Sequence, residues 1–345
     1  MLSALLKAHN CFKLVEVPIP EIGPGDVLIR VKTCGFCGSE AIAADYGAAE
    51  WRPFGHEFAG VVEKVGERVT NVQVGDRVVV ESSIFNPLSR EARNGRPELD
   101  GRDMPDLINY IDFDVRDTMG FAEYTTAPAE LCVKFERMSF LEGALIEPMG
   151  VAMDLVKTAD IQLNDDVLIV GLGPIGLMAL QLARRMGARR IYAANRSGGV
   201  RRIEMAKQFG ADEIICTDKV DLASYPFARG GVDKALITAP PALIAPTTHC
   251  MNIGGIVAFL GLAEGDRAMI TLDSNILHGK KLQIRSSDAV PALYFPMCIE
   301  LVESGAIDVR SLVTHTFPLS ALPEGLADYL SHHAEGVKAV MVADD

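Results

Sequence analysis

The sequence predicts an α/β protein made of a β domain and a doubly wound parallel-sheet domain. Three observations predict it. The first 85 residues read as short alternating strands separated by glycine turns. From about Asp165, apolar β-branched runs alternate with helical stretches, the pattern of a parallel sheet with crossover helices. One of those strands runs directly into a Gly-x-Gly-x-x-Gly turn that opens a helix. The expected boundaries are 1–149 for the β domain, completed by 288–345, and 150–287 for the parallel-sheet domain. A chain of 345 residues is long enough for both.

Taken in order, Asp26–Lys32, Phe58–Gly66 and Asp76–Glu81 alternate and are rich in valine, so they are strands. From Pro87 to Asp117 the composition shifts to Arg, Asp, Asn, Pro and Gly with little periodicity, which predicts a long loop or lobe. Its arginines, Arg90, Arg93, Arg96 and Arg102, suit a substrate, a neighbouring subunit or plain solvation. Val167–Val170 is a buried strand, and Leu177–Met186 a helix ended by Gly187. Ile191–Ala194 is a second strand, Ile203–Phe209 a second helix ended by Gly210, and Glu213–Ile215 a third strand. Ala235–Thr238 and Gly255–Leu260 continue the sheet. After Ser287 come a helix (Leu293–Ser304), a strand near Leu312, a helix (Ala321–Leu330) and a last strand (Val337–Val342).

Composition excludes several classes. Hydrophobic residues at 49% and charged residues at 23% are those of a globular chain, not a disordered one. No apolar run is long enough for a membrane span. The N-terminus lacks the pattern of a signal peptide, so the expected location is cytoplasmic. A net charge of −13 argues against nucleic acid as a partner. The seven cysteines are mostly scattered singly and do not form a disulfide framework; only Cys34 and Cys37 are close.

The turn Gly171-Leu-Gly173-Pro174-Ile175-Gly176 has the strand before it and the helix after it that a dinucleotide site requires. Gly171 permits the tight turn, Gly173 lets backbone approach a pyrophosphate, and Gly176 allows close helix–strand packing. The helix N-terminus offers N–H groups to the phosphates. An NAD site usually has an acid at the end of the second strand. Here Asn195 stands there, followed by Arg196, Ser197 and, a little later, Arg201 and Arg202. The arginines and the serine suit a 2′-phosphate, which favours NADP(H) over NAD(H). In the alternative, the arginines are solvated and Asn195 bonds the ribose of NAD. Thr238 and Ala239, and Gly261 and Leu262, end later strands and are further candidate cofactor contacts.

The β domain also contains Cys34-Gly-Phe-Cys37-Gly-Ser39-Glu40 and then Gly55-His56-Glu57-Phe-Ala-Gly60, with Glu147-Pro148 much later. Cysteine, histidine and glutamate suit zinc, and three protein ligands with an open fourth position is the catalytic pattern. Together with the glycine turn, these motifs resemble the zinc-dependent medium-chain dehydrogenase/reductase family, most closely its sorbitol/polyol dehydrogenase branch. The resemblance spans essentially the whole chain. It implies a GroES-like catalytic domain and a Rossmann cofactor domain.

Residue by residue, the resemblance makes Cys37 and His56 zinc ligands and Cys34 a neighbour. Glu57 and Glu147 compete for the remaining position, and both count as metal and catalytic candidates. Ser39 resembles the hydroxyl that takes the substrate proton during hydride transfer. Glu40 resembles the carboxylate that orients the histidine, where the family usually has the shorter Asp. Lys338 resembles a late basic residue that contacts the pyrophosphate; the alternative is a solvated edge lysine. Two departures stand out. No cysteine lies between Ser82 and Met119, where many relatives hold a structural zinc, so one zinc per chain is expected. The relay position held by His in some relatives is Ile42.

The implied activity is zinc-dependent hydride transfer between a nicotinamide cofactor and a secondary alcohol or ketone of polyol, sugar or cyclitol type. The expected partner is thus a small hydroxylated molecule. Candidate pocket residues are Tyr46, Trp51, Phe54, Phe121 and Glu147. The competing readings are a threonine- or simple alcohol-type zinc dehydrogenase and a non-catalytic nucleotide-binding member. A homodimer or homotetramer is implied by the family.

Overall fold

The computed structural model describes residues 1–100, 118–261, 263, 265–289, 292–332 and 335–344. In chain order the elements that position the sites are β1 (Leu2–Lys7), β2 (Cys11–Glu16), β3 (Asp26–Gly35), α1 (Gly38–Ile42), β4 (Arg52–Pro53), β5 (Glu57–Val65), β6 (Arg77–Val80), β7 (Tyr124–Pro128) and β8 (Cys132–Lys134). Then come α2 (Ile146–Thr158), β9 (Asp166–Val170), α3 (Pro174–Arg185), β10 (Arg190–Asn195), α4 (Val200–Gln208), β11 (Glu213–Cys216), β12 (Val232–Ile237), β13 (Met251–Phe259) and β14 (Gln283–Ser286). The last are α5 (Phe295–Glu303), β15 (Val313–Pro318), α6 (Leu322–Ser331) and β16 (Lys338–Val342).

The chain divides into two compact units, Met1–Gly150 with Val290–Asp345, and Val151–Ala289. The first unit is built on a sheet in the order β15-β16-β3-β5-β6-β8, with β7 also paired to β3. β3 is the organising strand. Its first half pairs with β7, its second half with β16, and its other edge with β5. Val27, Ile29, Val31 and Cys34 of β3 pack with Val62, Val78 and Met341 in one apolar core. Burying these side chains stabilises each by about 1.5–3 kcal/mol.

The second unit is a six-stranded parallel sheet in the order β11-β10-β9-β12-β13-β14. Its central strand β9, Asp-Val-Leu-Ile-Val, is buried at every position, as a strand covered on both faces must be. Strand order reverses beside β9, where β10 lies on one side and β12 on the other. In open parallel sheets ligands bind at the carboxyl ends of the strands at such a reversal.

Several elements were not among the sequence expectations, the β1–β2 hairpin, α2 and β14 among them. The β1–β2 hairpin turns through His9 and Asn10, both at positive φ. α2 carries Glu147 in its first turn, with Pro148 also in that turn, where proline is tolerated. β14 pairs in parallel with β13 and closes that side of the sheet. The lobe expected over 87–117 is described only to Asp100. Within it Ser89 caps a short helix, Arg90–Arg93, and Arg96 pairs with Glu98; Arg102 lies outside the described residues.

Candidate active site

The first site forms where the end of β3, the start of α1 and the start of β5 converge. Cys37 sits at the N-terminal boundary of α1. Glu57 is the first residue of β5 and pairs with Gly35 of β3. Gly55 supplies the bend before His56. Its φ is +107°, and a Cβ there would meet the Phe121 backbone N at 2.7 Å and Cys34 Sγ at 2.8 Å. Only glycine fits that turn.

One ligand atom each from Cys37, His56 and Glu57 lie within 4.8 Å of one another. Cys34 is not part of that cluster; its buried thiol points to the Gly35 carbonyl at 3.6 Å, and burial raises its pKa well above the usual thiol value. Glu40 ties the site together. Its Oε1 accepts from Gly55 N–H at 2.7 Å and lies 3.2 Å from His56 Nδ1, and its Oε2 accepts from Cys37 N–H at 2.9 Å. The extra methylene relative to Asp therefore still reaches the histidine. Engaging Nδ1 leaves Nε2 for a metal. Burial pushes the His56 pKa down, but Cys37 and Glu40 outweigh it and carry the imidazole well above its usual value.

Glu57 is 1% exposed and Lys338 3%. Lys338 forms an ion pair with Glu57 Oε2 and donates to the Phe36 carbonyl at 2.9 Å. The Lys338 ammonium thus holds Glu57 Oε2. Burial opposes the charge on Lys338, but Glu57 and Cys37 raise its pKa above the usual lysine value. Lys338 is therefore not a solvated edge lysine, and its ammonium is engaged by Glu57 and Phe36 rather than presented to a pyrophosphate as expected. β16 inserts beside β3 and turns residue 338 inward.

Glu147 is buried but outside the three-residue cluster. Burial pushes its carboxyl up to about 7, with His56 opposing and Glu57 adding. Its carboxyl has no hydrogen-bond partner among the described residues. Ser39 donates its hydroxyl to Cys37 Sγ at 3.2 Å. Of the pocket candidates, Phe54 and Phe121 belong to the apolar core, their rings 4.5 Å apart. Trp51 is a surface residue with the Lys13 ammonium 4.2 Å above its ring.

The donor set fits zinc. A half-buried thiol, a buried imidazole and a buried carboxylate bring one ligand atom each within 4.8 Å of one another.

The second site lies in the parallel-sheet unit. Gly171 turns at φ +97°, and a Cβ on Gly176 would strike the Gly171 carbonyl oxygen. Thr238 donates from behind to the Gly171 carbonyl at 2.9 Å, so its hydroxyl supports the turn. Gly173 caps α3 with no side-chain bond to the free N–H groups, Pro174 follows at the helix start, and a Cβ on Gly173 would meet open space. These features fit a pyrophosphate. Gly176→Ala is expected to weaken dinucleotide binding roughly tenfold to a hundredfold, from the 1–3 kcal/mol of overpacking against rigid backbone. Fluorescence titration with NADPH checks it; an unchanged Kd, with the zinc content intact, contradicts it.

Asn195 is half-buried: its Oδ1 accepts from Leu172 N–H of the glycine turn at 3.4 Å and its Nδ2 donates to the Arg196 carbonyl at 3.1 Å. Arg196 and Arg201 are exposed. Ser197 is bound by Asp218, a residue that the sequence reading missed: Ser197 N–H and Oγ–H each donate to it at 2.6 Å. These bonds, from the side chain first, hold the Asp218 pKa below its usual value. Its position two residues past the third strand was the available cue. Gly261 turns at φ +127°. Leu262 lies outside the described residues.

Residues 23–137 match the alcohol dehydrogenase GroES-like domain, and residues 174–304 the zinc-binding dehydrogenase domain. Sorbitol dehydrogenase of Arabidopsis thaliana is 31% identical over 364 residues, covering 99% of this chain and 94% of its own. An alcohol dehydrogenase from Escherichia coli CFT073, solved with NADH, superimposes with a TM-score of 0.88 at 26% identity, over 99% of both chains. A protein from Sinorhizobium meliloti 1021 solved with NADP has a TM-score of 0.85 at 25% identity, over 99% of this chain and 98% of its own. No helix among the described residues is long and apolar enough to cross a membrane. With the motifs, the two domains and the full-length relative in agreement, the chain belongs to the zinc-dependent medium-chain dehydrogenase/reductase family, in its polyol dehydrogenase branch, and is an oxidoreductase.

Proposed function

We propose that the chain carries one zinc and interconverts a secondary alcohol and ketone of polyol, sugar or cyclitol type, using NADP(H) in preference to NAD(H). The observation that carries the reading is the convergence of half-buried Cys37 with buried His56 and Glu57, one ligand atom of each within 4.8 Å of the others. When bound, zinc supplies Lewis acidity to the substrate oxygen, and the nicotinamide supplies or accepts hydride. Cys37, His56 and Glu57 would hold the metal, and Glu40 fixes the histidine and both adjoining backbone N–H groups. Glu147, beside them without a hydrogen-bond partner among the described residues, is the alternative ligand and a hydrogen-bond acceptor for substrate hydroxyls.

Ser39 donates its hydroxyl proton to Cys37 Sγ, so its oxygen lone pairs are open to accept a hydrogen bond from a substrate hydroxyl, and it can take that proton only as it releases its own. Ile42 has no titratable group, so a proton relay from Ser39 does not continue through that position. Gly171, Gly173, Pro174, Ile175 and Gly176 cradle the pyrophosphate, and Arg196 and Arg201 favour a 2′-phosphate. Sorbitol as the substrate of the Arabidopsis relative supports the polyol reading.

The test is NADPH oxidation against a panel of polyhydroxy ketones and simple aldehydes, with and without a chelator. Turnover of a ketose that stops on chelation and returns with zinc is the expected result. Preference for simple aldehydes would move the chain out of the polyol reading. Silence across the panel with NADPH bound would overturn the proposed substrate class.

A further inference from the structure

β10 and β11 pair in parallel as far as Asn195 and Cys216. Two residues beyond each strand, Ser197 and Asp218 meet. Ser197 N–H donates to Asp218 Oδ1 and Ser197 Oγ–H to Oδ2, both at 2.6 Å. Both oxygens of one carboxylate are therefore held by both donors of one residue. The Lys219 charge beside it also favours the carboxylate. The place at the end of β10 where an acid usually meets the adenosine ribose is filled by Asn195, which is turned back onto the loop. The acid comes from the neighbouring strand instead.

We infer that Asp218 discriminates between a phosphorylated and an unphosphorylated adenosine ribose, by occupying the Ser197 donors with a negative charge of its own. The inference rests on the proposal that this loop holds the adenosine end of the dinucleotide. A ribose hydroxyl is a donor, and Asp218 retains lone pairs to accept from it. A 2′-phosphate is an acceptor that needs the Ser197 donors and is repelled by the carboxylate beside them. It can use them only after Asp218 lets go. Asp218 thus works against Arg196 and Arg201, and holds the preference for NADP(H) below what those arginines alone would produce.

The experiment measures dissociation constants of NADPH and NADH, and of adenosine 2′,5′-bisphosphate and 5′-AMP, for zinc-loaded wild type, Asp218→Asn and Asp218→Ala. Asn keeps an acceptor for Ser197 without the charge, so it serves where Ala disturbs the loop. The ratio of NADPH to NADH affinity is expected to rise roughly fivefold or more in both variants, and less at high salt, because an exposed charge is screened. The bisphosphate should gain over the monophosphate in the same way. An unchanged ratio, or a parallel loss for all four ligands, would reduce Asp218 to a buttress of the loop and overturn the inference. A rise in the ratio from a wild type that prefers NADH supports the inference while removing the NADP(H) preference. Failure of wild type to bind any of the four would overturn the dinucleotide reading, and the inference with it.

Discussion

Cys37→Ala and His56→Ala proteins are expected to purify nearly free of zinc and to turn over at least roughly a thousandfold more slowly than wild type. The reasoning begins with ligand count. Three protein donors hold a catalytic zinc, and deleting one leaves two donors against water and buffer. The metal supplies several kcal/mol of charge stabilisation to the transition state, and each 1.36 kcal/mol is about tenfold in rate. Glu40→Gln should fall between. It removes the charged acceptor from His56 Nδ1 while leaving all three donor side chains in place. Loss of such an orienting partner typically weakens metal affinity roughly tenfold to a hundredfold. Metal analysis after dialysis against a graded chelator series, with rates measured on the same samples, orders the three variants. Full zinc in Cys37→Ala or His56→Ala removes that residue from the ligand set. A Glu40→Gln protein as depleted as Cys37→Ala would mean that Glu40 holds the site's backbone, not merely the histidine.

What could be read from the sequence was whatever is encoded locally. The glycine turn at 171–176 is legible because tight turns and close helix–strand approach admit so few residues. The parallel strands are legible because burial on both faces leaves an unbroken apolar run, as in β9. The cysteine, histidine and glutamate of the first site sit in short motifs, and the structure brings them within 4.8 Å. The β1–β2 hairpin was illegible because its turn uses His9 and Asn10 at positive φ with no glycine to mark it. Contacts between distant segments were also illegible. Lys338 and Phe36 are 302 positions apart, and only the insertion of β16 beside β3 joins them. Asp218 was missed for a related reason. A ribose acid is expected at the end of the second strand, whereas the pairing of β10 with β11 brings an acid from 21 residues further on.

Lys338→Met is expected to lower the stability of the metal-free protein by about 3–5 kcal/mol, the usual loss when one partner of a buried ion pair is removed. The substitution keeps the length and apolar body of the lysine, so packing against Gly35 changes little; what goes is the cation. Glu57, 1% exposed, is then left with a buried carboxylate oxygen and neither ammonium nor hydrogen bond. If Glu57 is a metal ligand, a dication can take over the role of Lys338. The loss should then be much smaller in zinc-loaded protein, and the stabilisation gained from a fixed excess of zinc should be larger in the variant than in wild type. Urea unfolding of wild type and Lys338→Met, each with zinc and with chelator, measures all four corners of the cycle. The result bears on the choice that sequence left open. Equal losses with and without zinc would mean that the metal does not reach Glu57. Glu147, the remaining buried carboxyl in the site, would then be the third ligand, and Lys338–Glu57 a structural pair holding β16 to β5. A loss confined to the metal-free state would place Glu57 on the metal and make Lys338 the group that neutralises it until the metal arrives.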